Sequence, residues 1–241
     1  MKRFYKDAGA ASVAEIDAID GEEGFAVLLD GKPIRTQGRR VPLVAPTRAL
    51  AEAVAAEWAA QDEKIAPATM PMMTLTATAL DRVVPQVQAV AADAAAYAGS
   101  DLLCYRAAPE EADGALRPRQ DEAWQPLLDW AAERYGARLT VAEGIMPVAQ
   151  DNAALMLLAR ALGGLDPFRL TAVHVMTTTT GSLVLALALL EGRLTPEDAH
   201  ALATLDETVQ AEKWGEDEEA AARRAAHKRE LEEAAAFLAT L

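Results

Sequence analysis

The chain has 241 residues, 51% hydrophobic and 25% charged, with 23 Lys and Arg against 37 Asp and Glu and a formal net charge of -14. That balance fits a globular chain long enough to bury a core without a metal or disulfide staple, and one cysteine, Cys104, rules out an intramolecular disulfide. The acidity disfavours phosphate backbones, so a nucleic-acid partner is not expected; the most apolar run, Ser182 to Gly192, is too short to cross a bilayer.

The basic N-terminal start lacks an apolar stretch of signal-peptide length, and Asp7, Glu15, Asp17 and Asp20 argue against a transit peptide. A cytoplasmic protein is expected, or a mitochondrial-matrix one if the chain is a processed eukaryotic form. From Gly24 to Leu29 the residues suit a strand. Asp30–Gly31 then gives a hairpin signal, and 32–36 return, with Pro33 marking an edge or a delayed start. A turn at 38–40 precedes a short strand over 41–44.

The period changes at Thr47, a plausible N-cap. Leu50, Val54 and Trp58 recur every four residues, as in an amphipathic helix. Pro67 and Pro71 bracket Met70, and helical patterns follow over 74–84, 121–135, 152–162, 182–190 and 196–213, punctuated by glycines. The expected fold is α+β: a small N-terminal α/β domain with antiparallel hairpin strands (1–68), then a larger all-helical bundle (69–241).

No P-loop, dinucleotide fingerprint, HExxH, nucleophile elbow or clustered Cys/His set occurs, so no catalytic residue, metal site or cofactor is expected. His174, in an apolar context, is expected to be a packed core histidine; His200 and His227 suit solvated surfaces. Ser182 suits a helix N-cap, and Cys104 a small buried hydrophobe. Asp81 and Asp101 adjoin apolar residues and arginine. They suit structural anchors, with a carboxylate-using hydrolase as the competing reading.

The segment LDETVQAEKWGEDEEA, from Leu205, puts a tryptophan in an acidic run. Thr195–Pro196–Glu197–Asp198 is a good helix start. At about 100° per residue, Leu202, Leu205 and Val209 share a core stripe, and Glu207, Gln210 and Trp214 a second face. Packing of Trp214 on the protein's own helices and docking of a partner both fit that face. Gly215 costs about 1 kcal/mol inside a helix and suggests a joint. Beyond it, Glu219 and Arg223 form an i, i+4 pair.

Blocks spread along the chain resemble one family. They are Arg3–Phe4–Tyr5–Lys6, the run 29–33 with Arg35–Thr36, Glu57–Gln61, Met70–Pro71, Asp81, 100–106, Gln120 with Trp124, Pro126–Leu127, and finally Leu205–Asp206–Glu207, Gln210 and Trp214–Gly215–Glu216. Together they resemble the ATP-twelve family, assembly chaperones for the α subunit of the ATP synthase catalytic head. Ser100 departs from the expected threonine but keeps the hydroxyl. The resemblance implies a non-enzymatic, monomeric chaperone, of alphaproteobacterial type, that shields α from aggregation until β displaces it. It also implies a partner-binding site in the C-terminal block: Glu207, Gln210, Trp214, Gly215 and Glu216. The family's important acid is assigned first to Glu207, with Glu212 or Glu216 as alternatives. A generic helical adaptor remains the other non-enzymatic reading.

Overall fold

The computed structural model describes residues 1–16, 19, 23–109, 114–144 and 146–241; Asp17 and Asp20 lie outside the described residues. The chain forms two compact units, 1–87 with 166–172 and 236–241, and 88–165 with 173–235.

In the first unit, β2 (Phe25–Leu29) is the centre of an antiparallel sheet. It pairs with β1 (Ala8–Ser12) along its length, from Ala8 opposite Leu29 to Ser12 opposite Phe25. Its other edge takes β3 (Lys32–Pro33) and β4 (Val44–Ala45). The Asp30–Gly31 turn has φ of 48° and 75°, the left-handed pair that a tight hairpin requires. The two faces of β2 separate as a period of two demands. Phe25, Val27 and Leu29 face the main core, while Ala26 and Leu28 join Val13, Ile19 and Val44.

Helix α1 (Arg48–Ala59) starts where expected: Thr47 Oγ1 accepts from Leu50 N at 3.1 Å. Leu50, Val54 and Trp58 are buried on its inner face. Helix α2 (Pro71–Thr78) is capped by Glu57, whose two carboxylate oxygens accept from Met72 N at 2.7 Å and Met73 N at 2.8 Å. The helix expected over 74–84 thus begins earlier, at Pro71, and widens into a π-type turn over Ala79–Val83. Pro85 explains the widening: it has no N–H to offer and its ring collides with the carbonyl four residues back. Phe168 and Phe237 stack at 6.5 Å and complete this unit's core.

The second unit is built mainly of helices: α3 (Val87–Ala96), α4 (Leu116–Tyr135), α5 (Asn152–Leu162), most of α6 (Pro167–Thr180), α7 (Leu183–Leu190), α8 (Pro196–Ala203), α9 (Leu205–Trp214) and most of α10 (Glu218–Leu238), the start of α6 and the end of α10 belonging to the first unit. A short parallel pair, β5 (Tyr105–Arg106) and β6 (Ala142–Glu143), lies beside them. The α+β class is therefore the observed one. Helix α7 is apolar on all sides and buried from Leu183 to Leu189, so it is the axis of this unit rather than a membrane segment. Among the described residues no helix is long and apolar enough to cross a membrane. Ser182 caps α7, accepting from Leu185 N at 3.0 Å.

Two local expectations change. The helix expected over 196–213 is broken at Thr204, whose hydroxyl donates back to the His200 carbonyl at 2.8 Å. His174 is not a core residue: it is half-buried on the outer side of α6, with Nε2 2.8 Å from Asp93.

Candidate functional site

Three polar contacts from α4 fix the end of α8 and the position of α9 after it. The Trp124 indole N–H donates to the Leu202 carbonyl at 3.0 Å, catching an oxygen that the break at Thr204 leaves without a helical partner. Gln120 bridges two segments, accepting from Ala107 N at 2.7 Å and donating to Asp206 at the start of α9 at 2.8 Å. Arg119 pairs with Glu212 at 2.8 Å. Between these contacts, Val209 and Leu205 pack on Ala107 and Leu116. Trp124 is itself held from behind: the buried Arg106 guanidinium lies 5.1 Å from its ring centroid and donates to Asp121 at 3.0 Å.

The opposite face of α9 holds Glu207, Gln210 and Trp214. They lie within one unbroken helix, so their spacing survives the break upstream. Together with Gly215 they line a recess of ≈ 260 Å³, whose far wall is the start of α10. Trp214 is 66% exposed, with Lys213 Nζ 5.1 Å from its ring centroid. Most of its surface is therefore left open, and the protein's own helices cover only part of it.

Gly215 ends α9 at φ 91° and ψ 158°, a conformation that L side chains rarely adopt. The chain can therefore turn sharply, and α10 brings two arginines back to Glu207. Arg224 Nη1 lies 3.5 Å and Arg223 Nη2 3.8 Å from Glu207 Oε2. Arg224 also holds Glu216 at 2.5 Å, and its own backbone carbonyl accepts from His200 Nε2 at 2.9 Å. Of the sequence-derived residues, Glu207, Gln210, Trp214 and Gly215 converge on the recess. Glu216 joins them through Arg224, whereas Glu212 is turned to Arg119. Arg224 was missed. Arg223, which spacing pairs with Glu219, reaches Glu207. No local signal shows that α10 folds back here.

The carboxylates that suggested hydrolysis are structural. Burial raises the Asp81 pKa, but hydrogen bonds from Thr36 Oγ1 (2.5 Å), Arg39 N (2.9 Å) and Gly38 N (2.9 Å) outweigh it and hold the carboxyl below its usual range. The approach needs glycine at 38, where a Cβ would stand 2.6 Å from Asp81 Oδ2. Asp101 is fully buried. Its oxygens accept from Leu103 N and Val184 N, each at 3.1 Å, tying the 102–104 turn to the start of α7. Burial pushes its pKa up to about 6 against these bonds. Cys104 is buried, which pushes its thiol up to about 12 and leaves it no reactive thiolate at neutral pH. Among the described residues no group of His, Cys, Asp or Glu is arranged to hold a metal ion.

Comparison with known proteins agrees with this architecture. The family model described as "ATP12 chaperone protein" matches residues 2–132. The crystal structure of Atp12 from Paracoccus denitrificans is similar at a TM-score of 0.90 and 42% identity, over 99% of this chain and 97% of that one. The Atu1473 protein of Agrobacterium tumefaciens is similar at a TM-score of 0.89 and 46% identity, over 99% and 85%. The mitochondrial protein atp12 of Schizosaccharomyces pombe is 23% identical over 204 residues, 80% of this chain and 69% of that protein. The chain belongs to the ATP12 chaperone family, which serves ATP synthase assembly and is not a family of enzymes.

Proposed function

We propose that this chain captures the unassembled α subunit of the ATP synthase catalytic head on the recess face of α9 and yields it when β arrives. The observation that carries this is the exposed Trp214 indole beside Glu207 and Gln210. An exposed tryptophan contributes little to a monomer's stability but is a strong anchor in an interface. A subunit destined for a ring exposes an apolar surface before assembly, and a mixed aromatic and polar face can cover it. Glu207 meets Arg223 and Arg224 only at 3.5 to 3.8 Å, so a client cation can compete for it. Glu207 stays the first assignment for the important acid and Glu216 the second, since Glu212 is engaged by Arg119. Release needs no nucleotide: β need only bind the same surface more tightly. The chain then works as a monomer in whichever compartment, bacterial cytoplasm or mitochondrial matrix, assembles the catalytic head.

Co-purification with isolated α subunit tests this, using the parent chain, Trp214→Ala and Glu207→Lys. Truncating an anchoring tryptophan costs about 2 kcal/mol or more, roughly thirtyfold in affinity. An Asp-to-Lys variant of the Paracoccus protein keeps the shared fold, with a TM-score of 0.89 to this chain, so charge reversal is a usable probe. Both variants are expected to melt like the parent and to lose α. Undiminished capture by both overturns the site, and no capture by the parent overturns the α-subunit assignment.

A further inference from the structure

Strand β1 is the open edge of the first unit's sheet: it pairs with β2 on one side and with no other strand among the described residues. Its hydrogen-bonding groups divide by a period of two. The Asp7 carbonyl accepts from Asp30 N at 2.9 Å, and Val13 N donates to the Gly24 carbonyl at 3.0 Å, which sets the phase of the ladder. Gly9 and Ala11, between those ends, turn their N–H and C=O groups towards Leu28 and Ala26 of β2. Ala8, Ala10 and Ser12 turn theirs the other way. Among the described residues the outward N–H groups of Ala8, Ala10 and Ser12, and the C=O groups of Ala8 and Ala10, have no hydrogen-bond partner.

Proteins normally guard such an edge with a charged side chain, a proline, a bulge or a very short strand. β1 has none of these. Its residues, Ala8–Ser12, are uncharged, include no proline and run against the whole of β2 in unbroken register. All of them are partly exposed, so the edge can be reached. No side chain stands across it: Ala8 and Ala10 lie against the main core, and residue 9 is glycine. A row of donors and acceptors at strand spacing is matched by another extended backbone, and not by a helix, which satisfies its own groups.

We infer that β1 binds an extended segment of a partner protein as an added strand, and that this segment is neutral or basic. Two copies of this chain would each bring a formal net charge of -14 to such a pairing, which works against a second copy as the occupant. A subunit awaiting assembly exposes unpaired strand edges of its own, and a family that serves assembly meets such clients. Because the bonds run through the backbone, the edge selects an extended conformation more than particular side chains. The contact lies in the first unit and does not depend on which protein α9 binds.

The test is an amide NMR titration of the full chain, labelled with nitrogen-15, with the synthetic peptide acetyl-Lys-Val-Thr-Val-Thr-Val-Lys-amide. A second peptide has the same sequence with every valine and threonine N-methylated, so that it cannot donate to a strand. The first is expected to shift the amides of Ala8, Ala10 and Ser12 at about 1 mM and to slow their hydrogen exchange. The methylated peptide should bind at least about tenfold more weakly. Ala10→Pro removes an N–H that has no partner within the fold, at an edge position where proline is tolerated. The variant should unfold in urea much as the parent does and lose the first peptide to the same extent. Should it fail to fold, the methylated peptide still decides the matter on the parent chain. The inference is overturned by an absence of shifts in β1, by equal binding of the two peptides, or by undiminished binding to folded Ala10→Pro. Shifts in β1 that grow with protein concentration alone also overturn it, since a second copy would then be the occupant.

Discussion

Asp101→Asn separates the effect of a buried charge from that of its hydrogen bonds. In the parent, burial raises the carboxyl to about 6 against an ordinary value of 3.8. The folded state therefore holds the proton more tightly than the unfolded chain. Between pH 3.8 and 6 the unfolded chain ionises first, so stability falls as pH rises through that window and levels off above it. At about 1.4 kcal/mol per pH unit, this one group lowers stability by about 2 kcal/mol from pH 4 to 7. Asparagine keeps the shape without the charge, so this contribution disappears. Its NH2 cannot accept, however, which leaves Leu103 N or Val184 N facing a donor, a pH-independent cost of about 1–3 kcal/mol. The variant should be clearly less stable than the parent near pH 4.5, and the gap should close or invert by pH 7.5. Urea unfolding of both proteins across that range measures the difference, in which other titrating groups cancel. Parallel pH profiles would refute the argument.

Other consequences follow from single contacts. Trp124→Phe leaves the Leu202 carbonyl without its indole partner and should cost about 1–3 kcal/mol in urea unfolding; no loss would mean that water or relaxation at Thr204 replaces the bond. Glu57→Gln removes the charge from a cap that accepts from Met72 N and Met73 N, and should lower stability by about 1 kcal/mol. Gly215→Ala meets no atom within 4 Å, so its cost, about 1–3 kcal/mol, comes from the backbone alone. It should also weaken capture by moving α10 away from Glu207.

Much of the fold can be read locally. Thr47, Ser182 and Thr195 each cap the helix expected of them, and Asp30–Gly31 turns the hairpin. These signals depend on residues close in sequence. Strand β1 has none: AGAAS lacks β-branched and aromatic residues, and forms because β2 offers a free edge and small side chains fit beneath α1. The break at Thr204 is equally silent, since it depends on Trp124 and Gln120 some 80 residues earlier. At the candidate site, the helical face of Glu207, Gln210 and Trp214 follows from spacing within one helix. Arg224 could not be placed, because its position depends on the sharp turn at Gly215 and on the His200 contact.

The most direct test of the central claim is light scattering by isolated α subunit at assembly temperature, with this chain added in equal amount and β added later. The account predicts that scattering is suppressed without ATP, that Trp214→Ala fails to suppress it, and that β displaces the chaperone into free solution. Aggregation of α that proceeds equally with and without the chain would contradict it.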